Sequence, residues 1–180
     1  MSKNGSCVLS NALRSSGIRQ LLPLLFYTGL RIGECAALNQ EDVLISARKG
    51  TVIVRQGKRD SYREIPLNVN ARRALDAWIV NRKEMFPAVD NEAFFLNRRG
   101  GRLSARAIDM VLRKLSEEAG VNLSAHVLRH TCITNLVRNG TDLVLVAEIA
   151  GHRRLETTQR YSLPTEQDRR EAMENIQVDY

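Results

Sequence analysis

The stretch DVLISARKGTVIVRQGKRDSYREIPL, from Asp42 to Leu67, contains three short runs that are rich in β-branched residues. These runs are DVLIS, TVIVRQ and YREIPL, and each is bounded by polar residues that are typical of turns. Such runs predict strands, and their close succession predicts a small antiparallel sheet. The segment GKRDS joins the last two strands, and Gly57 supplies the backbone freedom that a hairpin turn needs.

Helical patterns occupy the chain on both sides of this sheet. Before it, apolar residues at helical spacing predict a helix from about Leu13 to Tyr27 and a second one, RIGECAAL, from Arg31 to Leu38. After it, spacing and N-cap residues (Ser104, Ser124, Thr141) predict helices over 69–82, 105–119, 125–139, 142–150, 157–161 and 165–176. The predicted fold class is therefore mainly α with a small antiparallel β-sheet (α+β), in one domain over residues 1–180.

The chain has 180 residues and a formal net charge of +7. A chain of this length can bury a core of its own. The positive charge favours a polyanionic partner, with nucleic acid first and an anionic membrane surface second. A basic surface that serves only solubility is the alternative. No apolar run reaches the roughly 18–20 residues of a membrane span, so no membrane insertion is expected.

The three cysteines, Cys7, Cys35 and Cys132, are odd in number and widely spaced. This pattern predicts neither a disulfide framework nor a CxxC metal clip, and it favours a reducing cytoplasm. Cys35 and Cys132 lie within helical patterns, where small buried packing residues are expected.

The motif TGLRIGE places Arg31 in the first turn of its predicted helix, where the helix dipole disfavours a cation. A bound anion would remove this conflict, because free backbone N–H groups and a guanidinium together form a phosphate site. Glu34 lies one turn further on and can orient the arginine by pairing with it. A solvated surface pair between Arg31 and Glu34 is the alternative.

The motif SAHVLRHTCITNL places His126 and Arg129 three residues apart, on one face of a helix near its N-terminus. One hypothesis is a phosphate site made of imidazole and guanidinium. A second is a zinc site formed by His126, His130 and His152, since His-x-x-x-His on a helix is a known ligand spacing. Arg129 would then place a positive charge beside the metal. For His130 alone, a hydrogen-bonded position in the core is a further alternative.

The motif IAGHRRLETTQRYS, from Ile149 to Ser162, places a histidine on a turn and a tyrosine in a polar segment. Gly151 ends a helix, so His152 can project from the turn, and Tyr161 follows nine residues later. Tyr161 is either a nucleophile or an amphipathic tyrosine with its ring on the core. The other arginines of the motif are candidates for contact with backbone phosphates: Arg153, Arg154 and Arg160.

Taken together, the motifs TGLRIGECAAL, AHVLRHTCITNL and IAGHRRLETTQRYS resemble the catalytic domain of the tyrosine site-specific recombinases, the phage integrase and Xer-type family. The resemblance runs from about Leu21 to Ser162. It implies a catalytic set of Arg31, Lys58, His126, Arg129, His152 and Tyr161. Glu34 matches an acidic residue that supports the first arginine, and His130 matches a frequent family residue. Lys58 matches a lysine on a hairpin turn, with Arg59 and Lys49 as neighbouring candidates.

The resemblance also implies a role for each residue. Two guanidiniums would neutralise the scissile phosphate, and Tyr161 would attack it. His126 would accept the tyrosine proton, Lys58 would protonate the leaving 5′-oxygen, and His152 would donate a hydrogen bond to the phosphate. The product is a 3′-phosphotyrosyl link with a free 5′-hydroxyl, which needs neither a metal nor ATP as cofactor.

The implied partner is double-stranded DNA at a recombination core site, bound by a homo-tetramer that forms from monomers. Residues 163–180 resemble a tail helix that docks on a neighbouring protomer, and packing in cis is the alternative. A separate N-terminal core-binding domain is expected to be absent. Two other functions are open: DNA relaxation of the type IB topoisomerase kind, and DNA binding without catalysis.

Overall fold

The computed structural model of the chain describes residues 18–56, 61–152, 154–162 and 166–174. In chain order the elements are α1 (Ile18–Thr28), α2 (Ile32–Ala37), a 3-10 turn (Gln40–Asp42), β1 (Val43–Ile45), β2 (Gly50–Gln56), β3 (Ser61–Pro66), α3 (Val69–Met85), α4 (Ala105–Ala119), α5 (Ala125–Arg138), α6 (Leu143–Ala150), α7 (Leu155–Gln159) and α8 (Glu166–Glu174). The predicted class, mainly α with a small antiparallel sheet, is confirmed. Within the described ranges no helix has both the length and the apolar character of a membrane span.

The sheet has the strand order β1-β2-β3, and both pairings are antiparallel. Val52 lies opposite Ile65, and Val54 lies opposite Arg63. All four side chains are buried, because alternate residues of paired strands share one face of the sheet. A charged residue, Arg63, therefore occupies a core-facing position on β3 and requires partners there.

The main core lies between α1, α3 and the sheet. Leu24 and Leu25 of α1 and Leu75 of α3 are fully buried. Trp78 is fully buried as well, and its indole Nε1 donates a hydrogen bond of 2.9 Å to the carbonyl oxygen of Phe94. This bond satisfies the one polar group that the indole carries into the core.

A smaller apolar cluster joins the later helices. It consists of Ile133 of α5 with Val146 and Ala150 of α6, and Tyr161 packs against it. The cluster holds the end of α6 and the segment after α7 close to α5.

The helices α4, α5 and α6 each begin after a residue whose side chain caps the helix, and one of these caps differs from the prediction. Ser104 and Ser124 accept hydrogen bonds from backbone N–H groups at the starts of α4 and α5, as predicted. The cap of α6 is Asp142, and the prediction of Thr141 is wrong. The Asp142 carboxylate accepts from Val144 N at 2.9 Å and from Leu145 N at 3.1 Å. A carboxylate is the stronger acceptor at a helix N-terminus.

Two short helices begin at other residues than the spacing predicts. Arg31 precedes α2 in extended geometry (φ −70°, ψ 148°) instead of lying in its first turn, and its backbone N–H donates to Glu34 Oε2 at 2.8 Å. α7 begins at Leu155, two residues before the predicted Thr157: Arg154 precedes it in extended geometry, and the Arg154 carbonyl oxygen accepts from Thr157 N at 3.2 Å. Tyr161 consequently lies in a turn just after α7. Residues 13–17 of the first predicted helix lie outside the described part.

Candidate active site

Three arginines meet consecutive carbonyl groups at the C-terminal end of α6: one directly precedes α2, one lies on β3 and one lies on α5. We call Arg31, Arg63 and Arg129 the arginine cluster. Their bonds to consecutive carbonyls are Arg63 Nε to Ile149 O (2.9 Å), Arg129 Nη2 to Ala150 O (2.7 Å) and Arg31 Nη2 to Gly151 O (2.9 Å). The carbonyls at a helix C-terminus lack partners within the helix and carry partial negative charge. The end of α6 therefore holds three positive groups in one place.

Arg31 is the most accessible member of the arginine cluster. Its side chain is 44% exposed, and Nη1 donates to Glu34 Oε1 at 2.8 Å. The predicted pairing of Arg31 with Glu34 is therefore present. The bonds to Glu34 and to Gly151 O hold the guanidinium in place while it faces solvent, as binding of an anion requires.

Glu34 carries a negative charge that offsets part of the positive charge of the arginine cluster. It accepts hydrogen bonds from two nitrogens of Arg63, at 3.1 and 2.8 Å, besides those from Arg31. Burial alone would raise the pKa of the Glu34 carboxyl, but the bonds from Arg63 and Arg31 outweigh burial and leave this pKa below its ordinary value. Glu34 is therefore a carboxylate at neutral pH and orients both arginines.

Arg63 was not among the site residues predicted from the sequence. Its side chain is only 8% exposed, and Nε, Nη1 and Nη2 all have partners in Glu34 and Ile149. One signal was available: Arg63 lies two residues before Ile65, so the strand alternation places both on the core-facing side. A buried arginine needs a partner, but the sequence does not show that the partner is Glu34.

Arg129 lies deep in the site, at 8% exposure. It bridges the ends of two helices, since Nη1 donates to Gly29 O at 2.5 Å and Nη2 to Ala150 O. Burial lowers the pKa of the Arg129 guanidinium, and the neighbouring Arg31 acts in the same direction. These two bonds use two of the five N–H donors of a guanidinium, so donors remain for a phosphate.

His152 follows directly after the left-handed turn at Gly151, where φ is +64°. Its backbone N–H donates to Ala147 O at 2.9 Å, which closes the end of α6. Its ring Nδ1 lies 2.8 Å from Thr158 Oγ1. Burial lowers the pKa of His152, and so does the arginine cluster, with Arg129 contributing most among the arginines. The ring is therefore neutral at physiological pH.

Tyr161 lies between the apolar cluster and two histidines. The centroid of its ring is 6.3 Å from the ring centroid of His152, in a stacked arrangement, and 5.1 Å from the ring centroid of His130. Tyr161 packs on Ile133, Val146 and Ala150, as the interpretation of an amphipathic tyrosine expects, and its role as a nucleophile stays a prediction.

The remaining predicted residues differ in their placement. His126 is exposed on α5, and within the described ranges no hydrogen bond or ring contact joins it to Tyr161. His130 is exposed too, so the interpretation of His130 as a core residue is wrong. Lys58 and Arg59 lie outside the described residues. Lys49 is exposed just before β2, at the end opposite to the hairpin turn.

The zinc hypothesis required His126, His130 and His152 to converge. All three belong to the described residues, and no group of three or more histidine, cysteine, aspartate or glutamate side chains in those ranges could hold a metal ion. The two described cysteines, Cys35 and Cys132, are free and buried, as their helical positions predicted.

Comparison with known proteins gives a consistent family assignment. The model of the phage integrase family matches residues 8–168. The chain is 41% identical over 160 residues to the tyrosine recombinase XerD of Mycobacterium leprae, covering 85% of this chain and 50% of XerD. It is 35% identical over 162 residues to the tyrosine recombinase XerC of Actinobacillus pleuropneumoniae, covering 88% of this chain and 51% of XerC. The chain thus spans about half the length of these relatives.

Solved structures agree with the sequence matches. The XerA recombinase superimposes with a TM-score of 0.77 at 30% identity, over 100% of this chain and 65% of that one. The XerH recombinase bound to its difH substrate, in a pre-cleavage complex, superimposes with a TM-score of 0.75 at 28% identity, over 99% and 49%. With its three motifs, its fold and these matches, the chain belongs to the phage integrase family of tyrosine recombinases.

Proposed function

We propose that this chain is the catalytic part of a site-specific DNA recombinase that cleaves and rejoins strands through a 3′-phosphotyrosyl intermediate. One observation carries the proposal: the ring of Tyr161 stacks with the ring of His152, which directly follows Gly151, and the Gly151 carbonyl oxygen accepts a hydrogen bond from Arg31 of the arginine cluster. A phosphodiester repels an anionic nucleophile until its charge is neutralised, and this cluster supplies the neutralising charge. The relatives named above are recombinases, which favours this function over topoisomerase-like relaxation or DNA binding alone.

Arg31 and Arg129 bind the non-bridging oxygens of the scissile phosphate. Arg31 faces solvent and can turn a guanidinium edge toward DNA. Arg129 uses two N–H groups in its bonds to backbone carbonyls, and its other N–H groups can donate to the phosphate. His152 adds a third donor from the turn after α6. Arg63 stays behind them, because its three nitrogens are occupied by Glu34 and Ile149.

The chemical step moves two protons. The oxygen of Tyr161 forms a bond to phosphorus while the bond from phosphorus to the 5′-oxygen breaks, and the electron pair leaves with that oxygen. His126 accepts the tyrosine proton, and Lys58 protonates the 5′-oxygen. His130 lies beside the tyrosine ring and supports its orientation. Rejoining is the reverse step, so neither a metal nor ATP is required.

The partner we propose is a recombination core site in double-stranded DNA, bound by four copies of the protein that are monomers when free. The XerH structure is a complex with its difH substrate, which supports a duplex DNA partner. The exposed Met173 of α8 suits a tail, residues 163–180, that docks on a neighbouring copy. We place the protein in the cytoplasm, where a reducing environment keeps its cysteines free.

The experiment that tests this function is covalent trapping on nicked duplexes that carry candidate core sites. Cleavage next to the nick releases a short fragment, so the phosphotyrosyl adduct accumulates. The wild-type protein should form the adduct, and Tyr161→Phe should form none while its Kd for the same DNA changes by less than about 2-fold.

The matched control is Tyr27→Phe. Tyr27 is partly exposed on α1, and its hydroxyl accepts one hydrogen bond of 3.2 Å from Asn70. This variant should form the adduct as the wild type does. An adduct on Tyr161→Phe would contradict the proposed nucleophile.

A further inference from the structure

The two adjacent threonines in IAGHRRLETTQRYS have opposite environments. Thr157 is exposed, whereas Thr158 is fully buried at 0% exposure. The hydroxyl oxygen of Thr158 lies 2.8 Å from Nδ1 of His152, within hydrogen-bond distance. The role of Thr158 thus depends on which of the two groups donates.

The surroundings of Thr158 decide the direction of this bond. A helical threonine can donate to the carbonyl four residues earlier, as Thr131 donates to Val127 O at 2.9 Å. The Thr158 hydroxyl makes no such bond to Arg154 O, and among the described residues its one hydrogen-bond partner is the ring of His152. A buried hydroxyl proton without an acceptor is costly, so the hydroxyl donates to the ring nitrogen.

The direction of the bond fixes the state of the histidine. A neutral imidazole carries one proton, and the nitrogen that accepts a hydrogen bond is the unprotonated one. With Nδ1 accepting from Thr158, the proton of His152 resides on Nε2. Burial and the arginine cluster disfavour a second proton. The ring then has one donor, the Nε2–H group.

We propose that Thr158 is a positioning residue, whose hydroxyl holds His152 in the Nε2–H tautomer and so provides the N–H donor for the scissile phosphate. This inference rests on the proposed function for the use of that donor, but the tautomer itself is a property of the free protein. In the other tautomer, Nε2 would present a lone pair to a phosphate oxygen, which repels it.

The first test measures the tautomer on the free protein by two-bond ¹H–¹⁵N correlation of the histidine rings. The chain has three histidines, and the signal that disappears in His152→Gln identifies His152. We expect the pattern of an Nε2–H tautomer in the wild type and in Thr158→Ser. In Thr158→Val we expect a shift towards Nδ1–H. An Nδ1–H pattern in the wild type, or an unchanged pattern in Thr158→Val, would overturn the proposal.

The second test separates the hydroxyl from the shape of the side chain. Valine has the shape of threonine without the hydroxyl, and serine keeps the hydroxyl without the methyl group. Single-turnover cleavage of the nicked duplex should fall at least about 10-fold in Thr158→Val and less than about 3-fold in Thr158→Ser, since one donor to a developing charge is weakened. If Thr158 only fills space, Thr158→Ser will cleave more slowly than Thr158→Val. This result would contradict the proposal.

A double-mutant cycle ties the effect to His152. Glutamine has a side-chain N–H and no tautomers. Adding Thr158→Val to His152→Gln should therefore slow single-turnover cleavage by less than about 2-fold. If Thr158→Val slows cleavage as much in the His152→Gln background as in the wild type, Thr158 does not act through His152. If the wild type formed no phosphotyrosyl adduct at all, the proposed function would fail, while the tautomer measurement would still decide the role of Thr158.

Discussion

Among single residues, the buried Arg63 links Glu34 to the end of α6. It binds Glu34 with two nitrogens and the end of α6 with the third. Removing Arg63 leaves the Glu34 carboxylate with Arg31 but without its buried partner, and breaking a buried ion pair costs more than the pair contributes. We expect Arg63→Met to lower the free energy of unfolding by about 3 kcal/mol, measured by urea denaturation.

The matched control for Arg63→Met is Arg113→Met on α4. Arg113 pairs with Asp109 at 2.8 Å, but its side chain is 74% exposed. An exposed pair at this helical spacing contributes about 0.5 kcal/mol or less. Similar losses in the two variants would contradict the buried role of Arg63.

Glu34 makes a pH-dependent contribution to stability. Its pKa in the folded protein lies below the ordinary value of 4.5. Between these two pKa values the unfolded chain binds a proton that the folded chain does not, so the stabilisation is complete above the ordinary value and is lost as the pH falls through the folded pKa. Urea unfolding from about pH 6 down to pH 3 should therefore show a weaker loss of stability for Glu34→Gln than for the wild type.

Other carboxylates also titrate in this range, so a control variant is needed. Glu41 is 69% exposed and contacts Arg55 only at 3.3 Å. The pH profile of Glu41→Gln should run parallel to that of the wild type. A parallel profile for Glu34→Gln as well would show that the bonds from Arg63 and Arg31 do not hold the carboxyl in its charged form.

At the scale of elements, the C-terminus of α6 organises the site, and Gly151 is the residue that permits this. A Cβ atom at Gly151 would lie 2.8 Å from Arg63 Cζ, and φ there is +64°. Gly120 ends α4 with a φ of +65°, and a Cβ there would meet nothing within 4 Å. Both glycines thus have the same left-handed strain on substitution, but only Gly151 touches the arginine cluster.

Comparing the two alanine variants isolates that contact. Gly120→Ala should cost about 1 kcal/mol, which is the strain of the left-handed conformation. Gly151→Ala should cost at least about 1 kcal/mol more, because Arg63 must give up hydrogen bonds to make room. Urea denaturation measures both values. Equal losses would indicate that Arg63 moves aside freely.

Local elements could be predicted from the sequence because their signals are local. β-branched runs marked the hairpin, and Ser104 and Ser124 marked the starts of α4 and α5. The partners of Arg63 could not be predicted, since Ile149 is 86 residues away and Glu34 is 29 residues away. Thr158 was missed for the same kind of reason: whether a threonine next to an identical neighbour faces inward depends on how α7 packs.

At the scale of the whole molecule, the site is an assembly of distant segments around one helix end. The motifs near residues 31, 129 and 152 predicted which residue types would meet, through the family resemblance. The carbonyls of α6 explain how they meet without DNA: partial negative charge on the backbone holds the guanidiniums together. A phosphate would supply more negative charge, so under the proposed function the site is arranged for an anion before one binds.

The net charge of +7 also predicts how DNA binding responds to salt. Each phosphate neutralised by a basic side chain releases counterions, so the logarithm of the affinity falls with the logarithm of the salt concentration by about 0.9 per contact.

Arg160 is exposed one residue before Tyr161. We expect Arg160→Gln to reduce the salt slope by about 0.9, measured by fluorescence anisotropy on a short duplex in the Tyr161→Phe background. Arg113→Gln is the control, because Arg113 is already paired with Asp109 on α4 and should leave the slope unchanged. An equal change in both variants would mean that the basic charge acts as a diffuse field and that Arg160 makes no phosphate contact.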